Sequence, residues 1–351
     1  MKVLILISIL FSLSLNAKVS TKLVFKADDI IWGFDFINKE KIIATLKDGK
    51  ILEINLKSKK NKELVAPTVV ASGQGGLLDI HYKVINKKAY VYYTFSKKVN
   101  RTLVTALGRA VYTDGKLSEH ETLFESKIHS SRSIHFGSRL AFVDDFIFMT
   151  IGDRGDRDYA QRLDYHNGKV LRLSLEGKAL KDNPFFKTKN ALPEIWSLGH
   201  RNPQGIFYDS ESKNLYSSEF GPRGGDELNH IQKGLNYGWP VITYGKEYWG
   251  PSIGEEKKEG MEQPLVNWTP SISPSGLTIY TGDKNPKWKG SFFLACLGST
   301  HLHRVVLKNN KLIKQESLLE SLDERIRHVR TGLDGELYFS TDSGKIFTVH
   351  Q

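Results

Sequence analysis

The chain is 351 residues long, 40% hydrophobic and 25% charged, a composition that excludes intrinsic disorder and leaves room for one large domain or two ordinary ones. Its single cysteine, Cys296, excludes an intramolecular disulfide, so the fold must rest on its apolar core and on any bound metal. The formal net charge of +11 points to an anionic partner, but the densest cationic run, KSKKNK at 57–62, reads as a solvated turn rather than a nucleic-acid stripe, and no nucleic-acid partner is expected.

The first segment, MKVLILISILFSLSLNA at 1–17, has a basic Lys2, an apolar run over 3–15 and a small residue, Ala17. This is the pattern of a secretory signal peptide, and the run is too short to span a bilayer comfortably. The expectation is a leader at 1–17 and a mature chain at 18–351, periplasmic or secreted, with no stable membrane insertion.

Beyond the leader, helix-period segments are scarce, and short runs rich in Val, Ile, Tyr and Phe alternate with Gly, Asp and Asn turns. The chain reads as all-β. One phrase recurs: Gly49-Lys50-Ile51-Leu52-Glu53-Ile54, Gly168-Lys169-Val170-Leu171-Arg172-Leu173 and Gly344-Lys345-Ile346-Phe347-Thr348-Val349. The copies lie 119 and 176 residues apart, close to two and three multiples of a period near ~59. Six such units fill 18–351, and strand-rich runs at 36–56, 80–112, 140–175, 205–231, 276–307 and 329–349 agree. A six-bladed β-propeller is therefore expected, since radial repetition protects sheet edges and leaves a central channel with loops at its mouth. A double β-sandwich explains the repeated phrase less well.

The chemistry-bearing residues follow in chain order. Gln74 sits on the glycine turn GQGGLLD, and His135 in SIHFGSRL precedes a strand that runs into TIGDRGDR at 150–157. An imidazole there, with a pKa near neutrality, can reach into a channel as a general base; a histidine satisfied by backbone contacts is the alternative. GHRNPQG at 199–205 presents Arg201 and two amides, Asn202 and Gln204, on a turn. The stretch EFGPRGGDELNHIQKGLNYGWP at 219–240 crowds Gly221, Gly224, Gly225 and Pro222 among Glu219, Asp226, Glu227 and Asn229. Such a loop can aim carbonyls and carboxylates at one hard cation such as calcium, or it can be an ordinary turn cluster. The segment at 246–262, with Tyr248 and Trp249, is expected to overhang the site, and Trp268 offers another aromatic face. Along Arg325-Ile326-Arg327-His328-Val329-Arg330, strand alternation puts Arg325 and Arg327 on one face, where two forked donors can grip the carboxylates of one ligand. Together these features describe a planar polyanion held beside a calcium ion.

At this level of detail the sequence resembles the soluble, pyrroloquinoline-quinone-dependent aldose sugar dehydrogenase family, also called the glucose/sorbosone dehydrogenase family. The likeness rests on GQGGLLDI from Gly73, HFGSRLAF from His135, GDRG from Gly152, GHRNPQG from Gly199, GPRGGDELN from Gly221, NYGWP from Asn236 and RIRHVRTGLDGELY from Arg325. It implies a six-bladed propeller that oxidises an aldose to a lactone and passes electrons to a separate acceptor. It further implies that His135 is the general base, and that the carbonyls of Gly221 and Pro222 hold a cofactor calcium. Glu227 and the carbonyl of Tyr237 would hold a second, structural calcium. Arg201, Asn202, Arg325 and Arg327, with Gln74 and Tyr248, would bind pyrroloquinoline quinone (PQQ). One departure stands out: where the family commonly carries a cofactor-contacting lysine, this chain has Gly298, leaving His301, His303 or Arg304 to supply the charge. The expected partners are a small-molecule aldose and an external electron acceptor, with the chain a monomer or homodimer. A calcium-dependent propeller lactonase or hydrolase and a non-catalytic binding propeller are the alternatives.

Overall fold

The computed structural model describes residues 19–351, so the leader expected at 1–17 lies outside the described residues. The β-branched and aromatic runs form strands, and the glycine-rich segments between them form turns. β1 (Ser20–Lys26) comes first in the chain but is used last. Blade 1 is β2 (Ile31–Asn38), β3 (Lys41–Leu46), β4 (Ile51–Asn55) and β5 (Asn61–Leu64). Blade 2 is β6 (Leu77–Ile85), β7 (Lys88–Val99), β8 (Thr102–Thr113) and β9 (Lys116–Glu125). Blade 3 is β10 (Leu140–Val143), β11 (Phe146–Ile151), β12 (Lys169–Ser174) and β13 (Ile195–Leu198). Blade 4 is β14 (Pro203–Asp209), β15 (Asn214–Glu219), β16 (Asp226–Ile231) and β17 (Val266–Trp268). Blade 5 is β18 (Pro274–Ile279), β19 (Phe292–Cys296), β20 (Leu302–Lys308) and β21 (Lys311–Leu318). Blade 6 is β22 (Ile326–Thr331), β23 (Leu337–Thr341) and β24 (Lys345–His350), completed by β1 on its outer edge.

Each blade is a four-stranded antiparallel sheet, and the six stand in a ring, a six-bladed β-propeller. The first strand of each blade lines the central channel, and β18 is buried along its whole length. Outermost strands such as β21 are largely exposed and polar. Each neighbouring pair of blades shares an apolar layer, for example Phe25, Phe34 and Ile346 between blades 6 and 1 and Ile43, Ile80 and Tyr93 between blades 1 and 2. The layer between blades 5 and 6 is built from Phe293, Val329 and Phe339. Burying each such side chain contributes about 1.5–3 kcal/mol, so stability lies between blades, and neighbouring blades fix one another's mouth loops.

The repeated Gly-Lys phrase turns out to be the turn into the third strand: β4, β12 and β24 each begin one or two residues after its glycine. Gly49, Gly168 and Gly344 all have positive φ, which only glycine adopts without strain. The closure by β1, paired antiparallel with β24, was not read from the sequence, because nothing in a lone strand marks a partner at the opposite end of the chain.

Candidate active site

The loops leading into the inner strands converge at one mouth of the channel. Trp32, Leu78 and Phe136 pack there as a buried apolar cluster, and Trp32 with Ile30 gives the mouth an apolar floor. Behind it the buried Arg139 stacks on the Trp32 ring at 3.9 Å. Its guanidinium donates to Asp79 at 3.1 Å, to the Gln204 carbonyl at 2.8 Å and to the Arg327 carbonyl at 2.9 Å. One side chain from blade 3 thus ties blades 2, 4 and 6 together under the mouth.

Above this floor opens a cleft of about 380 Å³. It brings together His135, Gln74, Arg201, Asn202, Tyr248, Arg325 and Arg327, the catalytic and cofactor residues expected from the sequence. His135 sits in a left-handed backbone conformation, φ 50°. Its amide donates to Gln74 Oε1 at 2.8 Å. Its Nδ1–H donates to Asp153 Oδ1 at 2.7 Å, which leaves Nε2 unprotonated and available to the cleft. Asp153 is buried and also accepts from Trp239 Nε1 at 2.8 Å and the Gly155 amide at 2.7 Å. Burial works to raise its carboxyl pKa, but the hydrogen bond from His135, the Arg201 charge and the Gly155 amide hold it below the usual range. Burial lowers the His135 pKa, outweighing Asp153 and reinforced by Arg201 and Arg154, so the ring is neutral near pH 7. Arg154 fixes the loop itself, donating to the carbonyls of Ile134, Leu103 and Arg132 at 2.7 Å each. A Cβ on Gly152 would lie 2.1 Å from the His135 carbonyl oxygen, so that close approach requires glycine.

Cations dominate the rest of the lining. Arg325 and Arg327 share Asp342, at 3.0 and 2.7 Å. Arg201 donates to the carbonyls of Phe220 and Gly221 at 2.8 and 2.9 Å. Nη2 of Arg201 and of Arg325 makes no hydrogen bond to another described residue. No carboxylate lines the cleft among the described residues. The arrangement suits a ligand bearing several carboxylates, as PQQ does.

Arg201 also borders a smaller adjoining void, which Gly221, Pro222, Glu227 and Tyr237 line together with Glu219. The four residues assigned to two calcium ions therefore converge on one place. Burial and then the neighbouring Glu219 carboxylate push the Glu227 pKa up, against a 2.9 Å hydrogen bond from Asn229. Two carboxylates lining one void, with Pro222 and Tyr237 on the same lining, fit an oxygen-ligated dication. Among the described residues no group of three or more His, Cys, Asp or Glu is arranged for a metal, so main-chain oxygens would have to complete the set. Asp226 is not free for this role, since it accepts from the Gly221 amide, Ser271 and Ser273 and braces the loop.

Several sequence expectations are corrected. Trp268 is core, edge-on to His303 at 5.5 Å and donating to Gln315. His301 and His303 are buried and hydrogen-bonded to each other at 3.1 Å, and Arg304 is paired with Glu316. None of these three lines the cleft. Gly298 does not line it either, though Leu297 does, and a Cβ on Gly298 would meet Ser273 Oγ at 2.4 Å. Residues that sequence reasoning passed over include Asp153, Trp32 and Lys47. Asp153 had a signal: β10 pairs with β11, Leu140 opposite Met149, and that register, extended past both strand ends, carries 135 across to 153–154.

Comparison with known proteins places these features in a lineage. The family model described as glucose/sorbosone dehydrogenase matches residues 28–348. An aldose sugar dehydrogenase of Escherichia coli K12 is 35% identical over 345 residues, covering 95% of this chain and 93% of that protein. An uncharacterized protein of Synechocystis is 38% identical over 336 residues, covering 89% of this chain and 81% of that one. The PQQ-bound structure of an aldose sugar dehydrogenase from Streptomyces coelicolor has a TM-score of 0.80 at 27% identity, covering 95% of this chain and 98% of its own.

Proposed function

The chain belongs to the glucose/sorbosone dehydrogenase family and is a sugar oxidoreductase, and we propose that it oxidises an aldose at the anomeric carbon to the lactone, with PQQ and calcium as its cofactors. The observation that carries this reading is His135, its Nδ1 tied to Asp153, in a cleft walled by Arg201, Arg325 and Arg327. When bound, the quinone would supply the hydride acceptor and calcium a Lewis acid. Nε2 of His135 takes the proton of the anomeric hydroxyl as the hydrogen on that carbon leaves with its electron pair, so a carbonyl forms and the ring sugar becomes a lactone. Asp153 keeps the ring in the tautomer that can accept this proton and stabilises the imidazolium that results.

Arg201, Arg325 and Arg327 would hold the anionic cofactor, with Asn202, Gln74 and Tyr248 completing the contacts. Gly221 and Pro222 would hold the cofactor calcium through their carbonyls, and Glu227 with Tyr237 the structural one. Tyr248 and Trp249 are 65% and 75% exposed on the overhanging segment, where they shape access for the sugar. Residues 1–17 act as the export leader and 18–351 as the catalytic propeller, periplasmic or secreted, which hands electrons to an external acceptor. No helix among the described residues is long and apolar enough to cross a membrane.

The test is product identity. Purified protein given calcium, PQQ, a redox dye and a panel of aldoses should convert at least one to its lactone, and only with both additions. Lactone hydrolysis without PQQ, and no dye reduction with any aldose, would reverse the assignment.

A further inference from the structure

Resting on the PQQ reading above, we infer that Lys47, on blade 1, is a cofactor-binding residue whose ammonium pairs with a carboxylate of the bound quinone. Lys47 follows β3 directly and borders the cleft alongside Trp32, Gln74 and His135. Its backbone is fixed on both sides: its amide donates to the Ile30 carbonyl at 3.0 Å, and its carbonyl accepts from the Leu77 amide at 3.1 Å. Close packing holds it there. A Cβ on Gly76 would stand 2.0 Å from the Lys47 carbonyl oxygen and 3.1 Å from its Cγ, so the GQGG turn makes room for this residue.

The other cleft cations are partly committed within the protein, since Arg325 and Arg327 share Asp342 and Arg201 is bound to two carbonyls. Lys47 is different. Its ammonium makes no ion pair or hydrogen bond with another described residue, although its side chain is only half-exposed. A cation set beside an apolar floor, in a cleft with no carboxylate of its own, gains most when an anionic ligand arrives. It also stands on a different blade from the arginines, so it would hold the ligand from another side. This assigns to blade 1 the positive charge that Gly298, His301, His303 and Arg304 do not deliver to the cleft.

Trp32 in the cleft wall provides a direct readout through quenching of intrinsic fluorescence as PQQ binds. Calcium-loaded wild type, Lys47→Gln, Lys47→Glu and Lys47→Arg are titrated with PQQ, and the thermal midpoints of the quinone-free proteins check that each is folded. Lys47→Gln is expected to weaken PQQ binding on the order of ten- to a hundredfold. Lys47→Glu should weaken it further, and Lys47→Arg should stay within a few-fold of wild type. Wild-type affinity in Lys47→Gln, or an equal loss in Lys47→Arg and Lys47→Gln, would overturn the assignment. Failure of the wild type itself to bind PQQ would instead overturn the cofactor reading, and this inference with it.

Discussion

A general base works only while it is unprotonated, and burial lowers the pKa of His135 from its ordinary value of 6.5. A lowered pKa keeps the ring neutral until the pH falls further, so the acidic limb of the pH–rate profile should lie below 6.5. Asp153→Asn should reduce the rate on the order of 10³- to 10⁴-fold, because an amide can donate to Nδ1 and move the ring proton onto Nε2. Steady-state dye reduction from pH 4 to 9 with reconstituted wild type and Asp153→Asn checks both statements; an acidic limb above the ordinary histidine value, or an Asn variant of normal rate, would refute them. At this scale the sequence was partly legible. His135 and Arg201 stand out on glycine-flanked turns, and Arg325 and Arg327 through strand alternation, because together they repeat one pattern, cations and an imidazole aimed at a single ligand. Asp153 and Lys47 do not stand out, because an aspartate after a strand and a lysine before a turn are ordinary residues until the hairpin register and the neighbouring blade place them. Gly298 shows the reverse hazard, since its departure from the family pattern is visible in the sequence but its distance from the cleft is not.

At the scale of elements, the loop from Glu219 into β16 carries the calcium hypothesis. Two carboxylates, the buried Glu219 and the half-buried Glu227, line one void, and burial together with their mutual repulsion pushes the Glu227 pKa up, an arrangement that bound calcium would relieve. A ligand present at a hundred times its dissociation constant adds about 2.7 kcal/mol to stability. Calcium should therefore raise the thermal midpoint of the wild type over that in chelator by several degrees, and raise that of Glu227→Gln far less. Equal shifts in both proteins would show that any calcium binds elsewhere. The strands were legible from their alternation of β-branched and aromatic runs with glycine turns, and the repeated Gly-Lys phrase marked the third strands of three blades. What escaped was the assignment of aromatic residues. Trp268 lies close in sequence to the metal-type loop, yet it packs against His303 in the layer between blades 4 and 5, because a strand's two faces cannot be told apart without its partner blade.

The whole molecule is a ring whose last blade borrows its outer strand from the first residues described. Removing residues 19–26 should leave the edge of β24 unpaired, lower the thermal midpoint and promote association through that edge. Thermal unfolding and light scattering of the truncated protein report both effects, and an unchanged midpoint would mean that β1 is dispensable for closure. The ring also explains why so much of the site follows from so little sequence: six blades aim their mouth loops at one axis, so residues more than two hundred positions apart, such as Gln74 and Arg327, line the same cleft. The blade count was readable from the repeat, whereas β1's exchange between the chain ends was not, since it depends on where the circle closes.

The central claim is that this cleft removes hydride from an aldose with His135 as base. Its most direct test is dye reduction by protein reconstituted with calcium and PQQ, comparing an aldose with its counterpart deuterated at the anomeric carbon, in wild type and in His135→Ala. The account predicts slower turnover of the deuterated sugar by the wild type, and loss of most activity in the variant while PQQ still binds. Full activity in His135→Ala with PQQ bound would contradict it.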